Sequence, residues 1–430
     1  MNILISAHEF SPVQGSECAE GWNIVQGLVK NKQINITVLY ARGSQYSPNS
    51  YLNAVQEYYN NLQLEVNLKL IAVDQPKITL LIAKFNKFVT GNKGSIGFPI
   101  FYYLGYTFWQ RKAHQVTKKL MVKQDFDLIH HLTQITYREP GFLWKTNIPF
   151  VWGPTGGLEG VSIQLLKSLS FRQKIFELIR NSSNFLQYHF KLRIKKALKK
   201  SKVVYAFSEN DRKRFSKLNS NVKILLDSGT TSLNKPVIRC YNETDTKLNI
   251  IWVGQLIERK GLILLIKALE KVENVNKKLN VNILGSGPLK DFYKQEILKR
   301  SLSCVNFLGS IPHKEVQSVF RNSHILIHTS YREATTHVVP EALSTGLPIL
   351  CHDSFGLSIA VTKECGLKVP LESFTKSIEG FSKNIEHILS NPKIIKKLSE
   401  GAIIRSKELS WDSMIEKITD DYFKIIEELK

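Results

Sequence analysis

Residues 249–261 read NIIWVGQLIERKG. A short β-prone run, Asn249–Val253, ends in Gly254, and a loop with adjacent Arg259 and Lys260 leads to Gly261. Apolar residues at helical spacing follow over Leu262–Val272. This is a strand, a loop and a helix in one stretch. The same order repeats onward, with strands predicted at Val281–Leu284, Val305–Leu308, Ile325–His328, Ile349–Cys351 and Leu367–Val369. It also runs through the first half. Strands are predicted there at Asn2–Ala7, Ile34–Tyr40, Leu64–Val73, Leu128–Leu132, Phe150–Trp152 and Val203–Ala206, with a helix over Gly21–Lys30. Strands alternating with helices argue for parallel sheets covered on both faces.

The chain has 430 residues, too many for one compact core. Residues 227–248 are polar, contain Pro236 and separate the two series of strands, as an interdomain linker would. The expected organisation is a Rossmann-like domain over 1–230, a linker over 231–248 and a second Rossmann-like domain over 249–410. A terminal helix over 411–430 is expected to pack back on the first domain. Two such domains in series create a cleft between the carboxyl ends of their sheets, where ligands of open α/β sheets bind.

The charge is uneven. The chain carries 59 Lys+Arg against 37 Asp+Glu, a net charge of +22. Residues 1–240 hold 33 basic and 14 acidic side chains, and residues 241–430 hold 26 and 23. A basic half joined to a near-neutral half points to an anionic partner for the first half: an acidic membrane surface, a phosphorylated acceptor or a nucleic acid. No recognisable RNA- or DNA-binding motif supports the last of these. A lysine-rich composition that serves only solubility gives the same count. The cysteines, Cys18, Cys240, Cys304, Cys351 and Cys365, are scattered and odd in number, which fits reduced thiols in the cytosol. The opening MNILISAHEF reads as a first strand and not as a signal peptide. The longest mostly apolar run, 96–109, is shorter than the ~20 residues a bilayer requires.

Residues 330–348, SYREATTHVVPEALSTGLP, follow a predicted strand. Glu333 is expected in the strand-to-helix turn and Glu341 further along the helix. Eight helical residues span about 12 Å, the reach from a hexose to a ribose. Backbone N–H groups of Thr335, Thr336 and His337 at the helix start suit a diphosphate. Pro340 fits only near the first turn. Two glutamates on a solvated helix face are the competing reading. Arg259 and Lys260 on a strand-to-helix loop are suited to neutralise a departing diphosphate.

Taken in order, VGQLIERKG (253–261), LGSGP (284–288), FLGSIPHKEV (307–316) and the Glu-x7-Glu segment ending in EALSTGLP resemble glycosyltransferase family 4. These are the "glycosyl transferases, group 1", retaining enzymes with the GT-B fold: α/β, two Rossmann-like domains facing a central cleft. The resemblance covers residues 249–370. It implies that Glu333 contacts the donor sugar, Glu341 the ribose hydroxyls and Lys260 the donor phosphates. Gln255 stands where the family usually has an arginine, and Arg259 is the candidate replacement.

In the first half, SPVQGSECAEGW (11–22) places Gly15 and Ser16 where the family commonly has a glycine-rich loop near the donor phosphates or the acceptor. A helix cap at Ser16 with Glu17 behind it is compatible with that reading. DLIHHLT (127–133) resembles the family's strand ending in a histidine near the donor. His130 and His131 alternate across the strand, so one of them faces the cleft, and His131 is the choice. Asp125 and Asp127 form an Asp-x-Asp pattern read as turn acidity and not as a metal site. VWGPTGGLEG (151–160) is a strand entering a glycine-rich loop, either cleft-facing or a simple turn. Two stretches suit an anionic leaflet: Phe98–Trp109 with the cations after it, and the lysine- and arginine-rich residues 163–202. Core helices with solvated lysine faces are the alternative for each.

The resemblance thus implies a retaining, hexosyltransferase-like enzyme of bacterial polysaccharide assembly. It would move a sugar from a nucleotide sugar to a glycan or lipid-linked acceptor, without metal or other cofactor and without nucleic acid. The expected location is cytoplasmic, peripheral on the inner face of the plasma membrane. A nucleotide-sugar epimerase on the same fold and a non-catalytic basic membrane-binding protein are the alternatives.

Overall fold

The computed structural model describes residues 1–13, 15–60, 62–90, 98–230, 236–242, 247–334 and 336–430. The chain divides into two compact units. Unit 1 comprises Met1–Leu158, Phe185–Asp227 and Met414–Lys430; unit 2 comprises Glu159–Asn184 and Ser228–Ser413.

Unit 1 is built on a sheet of seven strands: β1 (Asn2–Ala7), β2 (Asn35–Ala41), β3 (Leu68–Val73), β4 (Leu128–Thr133), β5 (Phe150–Thr155), β6 (Ser201–Ala206) and β7 (Val222–Ile224). Their order is β3-β2-β1-β4-β5-β6-β7, and every pair is parallel. All six residues of β4 and of β5 are buried, as expected of central strands covered on both faces.

Unit 2 repeats the scheme with six strands: β8 (Leu248–Val253), β9 (Leu279–Leu284), β10 (Val305–Gly309), β11 (Ile325–His328), β12 (Ile349–Asp353) and β13 (Gly366–Pro370). The order β10-β9-β8-β11-β12-β13 is again parallel throughout. In each sheet the strand order reverses once, between β1 and β4 in the first and between β8 and β11 in the second. Those two reversals are where loops diverge and leave room for a ligand.

The predicted strands all exist, with shifted ends. Residues 64–67 lie outside β3, and Leu64 and Val66 are exposed, so their apolar character marks no buried strand. The helix predicted over Gly21–Lys30 begins earlier and spans Ser16–Leu28. The one predicted over Leu262–Val272 stops at Leu269. The three-residue edge strand β7 is too short to leave a pattern. The segment 236–242 is packed within unit 2 and is no free linker: the Val237 N–H donates to the Thr345 carbonyl, and the Arg239 guanidinium donates to the Ser323 and Phe320 carbonyls.

The LGSGP stretch has a steric role. The Gly254 N–H donates to Leu284 O, and the Leu256 N–H donates to Ser286 O, so the loops after β8 and β9 lie backbone against backbone. Gly285 has φ +145°, and a Cβ there would sit 1.9 Å from the Gly254 carbonyl oxygen. Only glycine permits that approach. Gly285→Ala is expected to cost unit 2 about 3 kcal/mol, a backbone penalty plus overpacking. Gly309 also has positive φ but open space around its Cβ position. Gly309→Ala should therefore cost only about 1 kcal/mol. Urea unfolding of the two variants checks the difference.

Candidate active site

The site of unit 2 forms where its strand order reverses. After β8 the chain makes a turn at Glu258–Lys260 and passes through Gly261 at φ +67°. A Cβ on Gly261 would lie 2.2 Å from the Thr329 carbonyl oxygen, so the loops after β8 and β11 touch at a glycine. Further bonds lace them together. The Tyr331 N–H donates to Arg259 O, the Thr329 hydroxyl to Lys260 O and the Trp252 indole N–H to Thr329 Oγ1. The Arg259 guanidinium also donates to the Arg332 carbonyl at 2.7 Å. With both backbones fixed, the side chains of Arg259, Lys260 and Glu333 converge.

Glu333 accepts from the Lys260 ammonium through Oε1 and lies 3.1 Å from Arg259 Nη1 through Oε2. Ser330 Oγ is 2.9 Å from Glu333 Oε1 and 3.1 Å from the Arg259 carbonyl, so its one hydrogen serves either acceptor. Burial pushes the Glu333 carboxyl up, but Arg259 and Lys260 outweigh it and hold it at about 2. Burial also moves the Lys260 ammonium down, which Glu333 opposes. Two cations against one carboxylate leave the group net positive, suited to an anion.

Two buried histidines underlie these loops. His328 ends β11, and burial holds its ring down at about 3, so it is neutral near pH 7. His352 in β12 is held at about 4 by burial and lies between the Ser330 carbonyl and Ser377 Oγ, 3.0 Å from each.

Glu341 lies elsewhere than its spacing suggested. The helix is Val338–Ser344, so Glu333 lies outside it and Glu341 falls in the first helical turn. The 12 Å helical separation therefore does not apply, because most of the eight-residue span is not helix. Pro340, the third helical residue, meets the condition set for it. Thr336 is half-buried in the loop, and Thr335 lies outside the described residues. Gln255 is exposed, and its carbonyl accepts from the Ile257 N–H.

Two contributors gave no sequence signal. Glu177, in the helix Phe171–Phe190, is buried and accepts from Arg332 Nη2 at 3.0 Å. Ser170, just before that helix, donates to Glu258 through both its N–H and its hydroxyl, each at 2.6 Å. A helix remote in sequence thus braces both loops of the site, beside Glu333 and beside Arg259.

The remaining named residues belong to unit 1. Gly15, at φ +64°, precedes the helix Ser16–Leu28 with no side-chain cap, so Ser16 is its first residue and not its cap. His130 and His131 are both fully buried. His130 Nε2 is 2.6 Å from Gly153 O, and Nδ1 is 2.5 Å from the Tyr422 hydroxyl. His131 Nε2 is 3.3 Å from Glu139 O, and burial holds its ring at about 3. Asp127 accepts from the Asn2 N–H at 2.7 Å, a structural bond at the start of β1. The loop at 156–158 is clamped by Asp211, which accepts from the Gly157 and Leu158 N–H groups.

Where the first sheet reverses, a second polar group appears. Glu9 accepts from the Tyr51 hydroxyl, from the Tyr102 hydroxyl at 2.9 Å and from Cys18 Sγ at 3.5 Å, and lies 3.1 Å from His8 Nδ1. Burial pushes it up, yet the His8 ring and the two phenols hold it at about 2. Glu17 behaves oppositely: burial and the Glu9 charge push it up to about 8, against a bond from the Ile135 N–H.

Residues 237–405 match the family described as glycosyl transferases group 1. That stretch of the chain belongs to the family. This glycosyltransferase of family 4 is 23% identical over 318 residues to an uncharacterized glycosyltransferase of Methanocaldococcus jannaschii, covering 74% of this chain and 80% of that one. Among solved structures it is similar to the lipopolysaccharide outer core galactosyltransferase WaaB, with TM-score 0.64 at 12% identity over 99% of both chains. It is also similar to Anabaena HepE in complex with UDP, with TM-score 0.60 at 14% identity over 98% of this chain and 99% of that one. These likenesses establish the GT-B fold of the glycosyltransferase.

The two switch-point carboxyls give opposite pH slopes. Glu333 falls from 4.5 to about 2 on folding, so its stabilisation is full above pH 4.5 and is lost as pH drops toward 2. Glu17 rises from 4.5 to about 8, so it costs stability increasingly as pH climbs between those values. Urea unfolding across pH 3.5–8 should show a shallower acid slope in Glu333→Gln and a shallower alkaline slope in Glu17→Gln.

Proposed function

We propose that this glycosyltransferase binds a nucleoside diphosphate sugar at the loops after β8 and β11. The observation that carries the reading is the convergence of Lys260, Arg259 and Glu333 where the second sheet reverses. Lys260 and Arg259 meet the diphosphate, Glu333 orients both cations and reaches the sugar, and Glu341 takes the ribose hydroxyls. Gln255 adds no charge, so the phosphate grip rests on the two cations. Thr336 lies just before the helix that carries Glu341. HepE, with the same fold and UDP bound, supports a nucleotide donor.

Transfer breaks the bond from the anomeric carbon to the diphosphate oxygen, and negative charge grows on that oxygen. Lys260 and Arg259 are already fixed beside it, so little reorganisation is needed as the bond breaks. The acceptor hydroxyl attacks from the leaving-group face, passes its proton to the departing diphosphate oxygen and yields a product with retained configuration. No step is assigned to a metal.

The acceptor is a glycan or lipid-linked glycan of a bacterial cell surface, held by unit 1. Gly15 and Ser16 open the loop system after β1, next to the Glu9 and Glu17 carboxyls, and His131 lies in β4 across the same reversal. The enzyme works from the cytoplasmic side of an anionic membrane, in keeping with the basic excess of residues 1–240.

A thermal-shift panel of nucleotide sugars should find one donor that raises the melting temperature, because a ligand of the native state adds stability. Glu341→Ala should abolish that shift, and an unchanged shift with unchanged transfer kinetics would remove Glu341 from the site. Lys260→Ala should lower kcat by about 100-fold, the usual scale for losing one preorganised charge stabiliser.

A further inference from the structure

The helix Phe171–Phe190 is amphipathic with its faces exchanged. Gln173, Glu177, Asn181 and Asn184 recur at helical spacing on its inner side. Glu177 is 2% exposed and Asn184 3%; Gln173 Nε2 donates to Glu177, and Asn181 Nδ2 donates to the Val161 carbonyl. The opposite side carries Phe171, Ile175, Leu178 and Ile179, and all four are exposed: Phe171 at 78% and Ile179 at 65%. The same stripe continues along the helix through Phe185, Leu186 and Phe190. An ordinary surface helix buries its apolar stripe. This one buries the polar side because Glu177 and its neighbours fasten it to the Arg332 loop.

Charge accompanies the stripe. The helix carries Arg172, Lys174 and Arg180 and one acid, Glu177, which is buried against Arg332. Arg172 is exposed directly beside Phe171, and Lys167 is exposed just before the helix. A contiguous apolar row rimmed by cations, with no exposed acid, is the composition of a helix lying in a membrane interface. Among the described residues no helix is long and apolar enough to cross a membrane, so this surface is suited to lie along one.

We propose that the exposed face of the helix Phe171–Phe190 docks onto an anionic lipid bilayer, its aromatic and aliphatic row entering the headgroup boundary while its buried face braces the donor loops through Glu177–Arg332 and Ser170–Glu258. This rests on the reading that the enzyme works at a membrane, and it names the element that makes contact. Anionic lipid is the occupant because basic side chains near such a leaflet add to the binding of the apolar row. A protein partner or a second copy would find no exposed acid on this helix to complement its own cations.

The test is sedimentation of the full chain with vesicles of equal parts phosphatidylcholine and phosphatidylglycerol, against vesicles of phosphatidylcholine alone. The wild type should pellet with the mixed vesicles, stay in solution with the neutral ones, and be released by salt. The double variant Ile175→Glu/Ile179→Glu should pellet about tenfold less or lower still. It should melt like the wild type and keep the donor-induced thermal shift, because both side chains are exposed. Arg172→Glu should weaken pelleting with the apolar row intact. If the double variant pellets as the wild type does, the helix is not the docking element, although the membrane reading stands. If the wild type fails to pellet with anionic vesicles, the membrane reading falls with it. If light scattering without lipid finds a wild-type dimer and a monomeric double variant, the face is an interface between copies and the proposal is overturned.

Discussion

A carboxylate buried beside two cations cannot be left half-made. Glu333 takes Lys260 and Arg259 together, and removing one charge from such a cluster strands the others away from water. The cluster therefore constrains everything that positions it. Gly261 must lack a side chain so that the loop can reach Thr329 O, and Gly285 must lack one so that the loop after β9 can support Gly254. Thr329 and Ser330 spend their hydroxyls on the carbonyls and carboxylate of the same loops. The strand reversal between β8 and β11 opens the space, and the charge cluster fixes how the loops fill it.

Unit 1 presents the same topology with a different electrostatic solution. Its reversal between β1 and β4 carries carboxyls, Glu9 and Glu17, in place of cations. Phenols and a neighbouring ring solvate Glu9 and keep it ionised, whereas Glu17 shares its surroundings with that charge and keeps its proton near neutrality. An acceptor is a neutral polyhydroxy compound at its reacting end, and hydrogen-bonding carboxyls and phenols suit it. A diphosphate suits the cationic reversal of unit 2. The two sheets thus share an architecture and differ in the charge at the reversal.

Much of this was legible in the sequence, for physical reasons. Strands buried on both faces are continuous apolar runs, so β1, β4, β8 and β11 stood out. Arg259, Lys260 and Glu333 were found because each sits at a fixed offset from a strand end. The failures share a cause. Glu177 and Arg332 are 155 residues apart, and Tyr102 is 93 residues from Glu9, so no local pattern links them. The helix leading to Glu341 was overextended because a turn fixed by the side-chain contacts of Glu333 with Arg259 and Lys260 carries no periodicity of its own. In residues 163–202 apolar spacing was visible, but spacing alone does not say which face turns inward. That depends on Glu177 finding Arg332.

The brace from the helix Phe171–Phe190 also bears on where this protein can be cut. The family match covers residues 237–405, yet Arg332 and Glu258 within it find their partners at Glu177 and Ser170. A fragment trimmed to the matched boundaries would carry a guanidinium and a carboxylate with no counterpart, beside the Glu333 cluster. The smallest autonomous piece is therefore discontinuous in sequence, and inheritance of unit 2 requires the bracing helix to travel with it.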